Sequence, residues 1–405
     1  MRRVAITGIG VISALGPGRE EFWSSLAQGC PGIGPIEAAD RTQLRFQNGA
    51  EVRGYDPREH FEERRADLLD RFAQFALIAA REAVEDAGWN GELSALRERT
   101  AIITGSCVGG QTTWEEGYHR IFLEGRQRPN PLTIPKIMAS AGASQISMEL
   151  GITGPAYTVS SACSSASHAI GTAFWMVRQG TVEMAITGGS EAPFTLGNLK
   201  AWDAVRAVSS DTCRPFSRER KGMILGEGGA MLVLEPLDAA LARGARIYAE
   251  IVGFGMNSDA HHLTQPSPDG ALRAMRTALA DAGLQPEQIG YINAHGTGTP
   301  VNDPIETRAI RDLFGGHADA LPVSSTKSMH GHTLGAAGAI EAAATALALH
   351  HGILPPTANY LALDPECDLD VIPNTARAAE VEYALSNSFA FGGLNAVLVF
   401  RRAAY

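Results

Sequence analysis

The sequence predicts an α/β protein made of two copies of one unit, with helices sandwiching two related sheets. Three observations carry this reading. At 405 residues, 45% hydrophobic and 19% charged, the chain is ordered and long enough for two packed units. Apolar runs such as "MAITGG" and "AMLVLE" are continuous rather than alternating, as in strands covered on both faces. And the second half repeats segments of the first in the same order, with different gaps.

The elements follow in chain order. "MRRVAITGIGVISALG" reads as a first buried strand ending in a glycine turn. A signal peptide is not expected there, because Thr7, Gly8, Gly10 and Ser13 interrupt the apolar run and "GPGREEF" replaces a cleavage site. "REAVEDAGW" (81–89) closes a helix on Asp-Ala-Gly, and "TAIITGS" (100–106) is the next strand. Tyr157, Thr158 and Val159 form an extended lead into "SSACSSASHAIG". There Ala166, Ile170, Phe174 and Val177 recur at helical spacing, and Gly180 stops the helix. "VEMAITGGSEAP" (182–193) and "GGAMLVLEP" (228–236) complete the first set. The second set is "RTALADAGL" (276–284), "IGYINAHG" (289–296), "LPVSSTKSMHGHTLGAAGAIEAA", "VEYALSNSFAFGG" (381–393) and "LNAVLVF" (394–400). Equivalent strand ends are expected to meet centrally.

Composition removes several function classes. A net charge of −10 argues against nucleic acid as the main partner. Short basic clusters such as Arg64-Arg65, or Arg126 with Arg128, read as solvated surface. Five irregularly spaced cysteines form neither a disulfide framework nor a zinc motif, so a reducing cytoplasm is the expected setting. No apolar stretch reaches membrane-span length; the Ala-rich segment near 336–349 carries Glu341. "GEGGAMLVLE" lacks the glycine spacing of a nucleotide loop.

The chemistry-bearing residues sit at the strand ends. Cys163 lies where a strand becomes a helix, near free N–H groups and the positive end of the helix dipole. That position predicts a lowered thiol pKa and a nucleophile. A small buried hydrophobe is the competing reading, and Cys107 in "TGSCVGG" competes for the role. His295 stands in the turn "NAHGTGTP", and Lys327, His330 and His332 in "STKSMHGHTLGAAG". Two histidine turns and a cysteine at equivalent strand ends point to nucleophilic chemistry rather than to a metal. Gly392-Gly393 after Phe391 permit a tight turn whose N–H groups can face an oxyanion.

Together, "SSACSSA", "NAHGTGT", "STKSMHGHTLGAAGA" and "NSFAFGGLN" resemble the β-ketoacyl-[acyl-carrier-protein] synthases, in particular the KAS II type and related ketosynthases of bacterial polyketide systems. "RPFSRERKGMILGEGG" is a further family-like block, and the resemblance runs over nearly the whole chain. It implies a thiolase-like fold, a duplicated α/β unit in five layers (αβαβα). The halves are expected over 1–249 and 250–405, together one ketosynthase domain. It implies a homodimer, with a ketosynthase-like heterodimer partner as the alternative.

The resemblance also implies roles. Cys163 accepts the acyl chain from acyl carrier protein. His295 and His332 support decarboxylation of the malonyl-carrier and stabilise the enolate. Lys327 organises the site, and Glu341 is its buried partner. Phe391 gates the pocket, and its N–H joins that of Cys163 in an oxyanion hole. Thr297 and Thr299 contact the phosphopantetheine arm, Thr264 lies at its channel, and Val108 lines the acyl pocket. Arg206 and the Arg64-Arg65 pair lie near carrier-docking positions. No cofactor or metal is implied, since the arm arrives on the carrier.

The chain departs from the family pattern at several points. Ala390 stands where Gly is common, Ser217 and Lys221 where Asp is common, and Gln265 where Ser is common. Two other readings compete. A non-elongating chain-length factor predicts loss of the nucleophile, yet Cys163 is present. A degradative thiolase predicts a second catalytic cysteine in the terminal motif, where Phe391 stands instead.

Overall fold

The computed structural model describes residues 1–89 and 93–404. Ten strands form the main sheet: β1 (Val4–Ser13), β2 (Thr100–Gly105), β3 (Ala156–Val159), β4 (Met184–Glu191), β5 (Gly228–Pro236), β6 (Ala249–Ser258), β7 (Ile289–Asn293), β8 (Val323–Ser324), β9 (Tyr383–Phe389) and β10 (Leu394–Arg402). Their spatial order is β8-β7-β9-β10-β6-β1-β5-β4-β2-β3. Counted outward from the middle, the halves run β1-β5-β4-β2-β3 and β6-β10-β9-β7-β8, so each strand has its counterpart five strands later. The repeat expected from the sequence is thus a repeat of topology.

The two sheets expected from the sequence are joined. β1 and β6 pair antiparallel over Val4–Ile6 and Ala249–Ile251, which makes one hydrogen-bonded sheet. Six helices position the site: α1 (Arg71–Asp86), α2 (Ser165–Gln179), α3 (Leu196–Val205), α4 (Pro268–Ala282), α5 (Asn302–Phe314) and α6 (Ala337–His351). α1 packs on β1, β4 and β5, whereas α4 packs on β6 and β10 on the opposite outside. α2 and α6 touch each other and strands of both halves, forming the central layer. The result is five layers, helix–sheet–helix–sheet–helix.

Glycines explain how closely these layers approach. A Cβ on Gly8 or Gly10 would lie 2.0 Å from the Ala83 or Ala79 carbonyl oxygen of α1. In the second half, Gly253 and Gly255 meet the Ala278 and Ala274 carbonyls of α4 at 2.6 and 2.4 Å. The same device packs an outer helix on a central strand in each copy. α6 is buried along Ala337–Leu349, all round its axis, which accounts for its alanine-rich sequence. α1, α2 and α4 end on left-handed glycines as read from the sequence, at Gly88 (φ 77°), Gly180 (φ 77°) and Gly283 (φ 69°).

Candidate active site

Cys163 lies between β3 and α2, two residues before the helix starts. Ala162 takes φ 52°, a strained value for a residue with a side chain, and turns the chain sharply at the thiol. Serine hydroxyls hold this turn: Ser165 Oγ accepts from the Ser161 N–H at 2.9 Å and donates to the Ala162 carbonyl at 2.7 Å. Ser164 Oγ donates to the Leu394 carbonyl at 2.9 Å, tying the turn to the other half. The small neighbours are also a packing requirement. A Cβ on Gly105 would lie 2.3 Å from the Ala166 nitrogen, and one on Gly338 2.0 Å from Ser167 Oγ.

The thiol is buried, 8% exposed, and the expected lowering of its pKa is not found. Burial pushes Cys163 up to about 11, opposed by the Lys327 charge and by the N–H groups of Phe391 and Cys163 itself. The cost of desolvating a thiolate outweighs the benefit of the helix end. Cys107 is likewise raised well above the usual thiol range, by burial and then by the neighbouring Glu191 charge.

A cavity of about 630 Å³ contains Cys163, His295, His332 and Phe391 in its wall. The two imidazoles stand 5.6 Å apart and nearly perpendicular, at 87°. Both are held well below the usual imidazole range, by burial first and then by the Lys327 charge, and so are neutral at pH 7. Their tautomers follow from the hydrogen bonds. His332 Nδ1 accepts the Leu334 N–H at 3.2 Å, and His295 Nδ1 lies 3.4 Å from Lys327 Nζ. Each ring therefore carries its proton on Nε2.

Lys327 is fully buried; its ammonium donates to the His295 carbonyl at 2.7 Å and to Glu341 Oε1. Burial raises the Glu341 carboxyl and Lys327 opposes the rise. The Phe391 ring is 37% exposed and stacks on Trp202 of α3, 6.1 Å between centroids. Gly392 (φ 82°) and Gly393 (φ 69°) are both left-handed, and the Gly392 N–H donates to the Leu263 carbonyl at 2.7 Å.

Of the remaining sequence candidates, Thr297, Thr299, Thr264 and Arg206 also line the cavity. The two threonine hydroxyls bond each other at 2.9 Å. Val108 is not in this cavity wall; it is half-buried on the turn after β2, with its N–H on Glu191 Oε1. Three buried carboxylates were missed by the sequence reading. Glu306 of α5 accepts the His295 and Gly296 N–H groups, each at 2.8 Å. Asp303, one turn earlier, accepts the Phe216 and Gly298 N–H groups. Glu191 accepts the Ser106 hydroxyl and the Cys107 and Gly335 N–H groups. Their available signal was a carboxylate closing the apolar run "MAITGGSE", and an acidic pair directly after the histidine turn.

Among the described residues, no group of three or more His, Cys, Asp or Glu could hold a metal ion. No helix among them is long and apolar enough to cross a membrane.

Comparison with known proteins agrees with this geometry. The Beta-ketoacyl synthase N-terminal domain matches residues 1–240, and the C-terminal domain of the same family matches 248–361. Nodulation protein E of Rhizobium sp. (strain N33) is 47% identical over 405 residues, 99% of each chain. The 3-oxoacyl-[acyl-carrier-protein] synthase 2 of Staphylococcus aureus (strain COL) is 42% identical over 409 residues, covering 99% of this chain and 98% of that one. The solved ishigamide ketosynthase/chain length factor superposes with a TM-score of 0.94 at 39% identity, over 100% of both chains. With both family domains matched in order along the chain and full-length relatives at 42% and 47% identity, this chain belongs to the beta-ketoacyl synthase family.

Proposed function

We propose that the protein condenses an acyl group held on Cys163 with a malonyl group delivered on acyl carrier protein, giving 3-oxoacyl-carrier and carbon dioxide. The observation that carries this reading is the pairing of two donor sets in one cavity: two imidazole Nε2–H groups, and the N–H groups of Cys163 and Phe391.

In the first step the Cys163 sulfur attacks the acyl thioester while its proton passes to the departing pantetheine sulfur. The tetrahedral oxyanion takes hydrogen bonds from the Cys163 and Phe391 N–H groups. In the second step the malonyl-carrier enters. His295 and His332 donate to its thioester oxygen as carbon dioxide leaves, so that the electron pair of the broken C–C bond is held as an enolate. The enolate carbon attacks the acyl-cysteine, the second oxyanion occupies the same N–H pair, and as it collapses the C–S bond breaks, releasing the Cys163 thiolate, which takes up one proton from solvent water. Neutral imidazoles suit this task, because a donor is needed and a proton transfer is not.

Lys327 and Glu341 orient His295 in this scheme, Thr297 and Thr299 bind the arm, and Thr264 and Arg206 line its approach. The residue chemistry calls for no resident metal or cofactor. The cytoplasm fits five unpaired thiols. A second copy or a ketosynthase-like subunit would add along edge strand β3, where Tyr157 is exposed.

The test supplies acyl-carrier and malonyl-carrier to the purified protein. Wild type is expected to release carbon dioxide and form the 3-oxoacyl product, whereas Cys163→Ala makes no product yet still decarboxylates malonyl-carrier. Normal condensation by Cys163→Ala would remove the assignment of the nucleophile.

A further inference from the structure

The main cavity has a second, smaller hollow of about 200 Å³ beside its mouth, and Arg206 and Lys221 belong to the walls of both. Their proximity is built into the backbone. Val208 and Met223 form a parallel bridge, the Met223 N–H donates to the Ala207 carbonyl at 3.0 Å, and the two cations lie two residues upstream on each segment. Arg206 ends α3 with φ 60°, a left-handed value held by a residue with a long side chain. Both side chains are exposed, and among the described residues neither takes part in a hydrogen bond or an ion pair. A third cation, Arg45, is already occupied: its Nε lies 2.9 Å from Asp203 Oδ1. In a chain of net charge −10, the hollow thus keeps two uncompensated positive charges over apolar walls from Phe46, Val208 and Trp202.

We infer that Arg206 and Lys221 bind the phosphate of the phosphopantetheine arm, with the arm's dimethyl carbon against those apolar walls. The inference rests on the ketosynthase reading and adds to it the anchoring point of the substrate arm. Paired cations at the edge of a low-dielectric cavity are suited to a phosphodiester, which is a charged acceptor on a compact apolar stem. The hollow is continuous with the path the arm follows. The Gly222 N–H, next to Lys221, donates at 2.9 Å to the Gly298 carbonyl, which lies between Thr297 and Thr299. The departure at Lys221 from the Asp common in the family adds a positive charge where that pattern places a negative one.

The experiment compares malonyl and acyl thioesters on three handles: the carrier protein, free phosphopantetheine, and pantetheine, which lacks the phosphate. Wild type is expected to show a KM about tenfold lower for phosphopantetheine than for pantetheine thioesters, as a charge-assisted contact implies. Lys221→Gln should abolish that preference, Lys221→Arg should keep it, and added salt should weaken it. The proposal is overturned if Lys221→Gln raises KM only with the carrier protein, which would assign the cations to the carrier's own acidic surface. It is overturned equally if the preference is absent in wild type or survives in Lys221→Gln. A wild type inert with all three handles would instead overturn the ketosynthase reading and this inference with it; an active wild type with an indifferent variant removes this inference alone.

Discussion

Cys163 carries a tension that only the folded chain reveals. Its place before a helix is legible from "SSACSSASHAIG", whereas its selection over Cys107 rests on the family resemblance. Its acidity is not legible, because that depends on how completely the cavity wall excludes water. With the thiol pushed up to about 11, the thiolate fraction grows tenfold per pH unit over any ordinary working range. Alkylation of Cys163 by iodoacetamide, followed on its own peptide by mass spectrometry, is therefore expected to accelerate about tenfold per unit from pH 7 to 9. A rate independent of pH over that interval would restore the helix-end thiolate. The same logic separates the sulfur from the imidazoles. His332→Ala is expected to retain acyl transfer to Cys163 while malonyl decarboxylation falls by about 10²–10³, the usual worth of one oxyanion donor. Loss of acyl transfer with decarboxylation intact would contradict the role given to His332.

At the scale of elements, the site is a set of loops held by buried carboxylates. The β7–α5 turn presents His295 because Glu306 takes two successive N–H groups with its two oxygens, while Asp303 anchors the neighbouring turn. These residues were hidden in the sequence because an Asp and a Glu in the first two turns of a helix read as solvated charges near its N-terminus. Only the way α5 packs shows that both are buried. Asp303 gives a measurable consequence. Burial raises its carboxyl from 3.8 to about 6, opposed by the Phe216 N–H and Asn302. A folded pKa above the unfolded value means that the group favours folding below about pH 4, and that this contribution is lost as pH rises through about 6. Wild type should therefore lose about 1 kcal/mol relative to Asp303→Asn between pH 5 and 7.5, read from urea midpoints at the two pH values. An unchanged difference, or one of opposite sign, would mean that Asp303 is ionised throughout.

At the scale of the whole molecule, catalysis depends on two copies of one unit being held at a fixed spacing. The copies were legible because each strand–turn–helix segment recurs in order. Their joining into one sheet was not, since it rests on three residue pairs at the β1–β6 edge with no distinctive side chains. The spacing is set in the central layer, where α2 starts just after Cys163 and α6 starts five residues after His332. At their contact, Gly338 leaves no room for a side chain: its Cβ would lie 2.0 Å from Ser167 Oγ and 2.9 Å from the Ser167 nitrogen. Ser167 Oγ is itself bonded to Ser388 Oγ at 2.8 Å, so it cannot turn away without breaking that link to β9. Gly338→Ala should then force the helices apart, at a cost of about 2 kcal/mol in stability. Separating the helices moves the thiol relative to His332 but leaves each donor set intact. Condensation is accordingly expected to fall further than either acyl-cysteine formation or malonyl decarboxylation measured alone. Ser167→Gly removes the obstructing hydroxyl, so the double variant should recover part of the stability and of the condensation rate, giving a non-additive cycle. Strict additivity of the two substitutions, or equal loss of all three activities, would show that the contact between α2 and α6 does not set the distance between the two halves of the site.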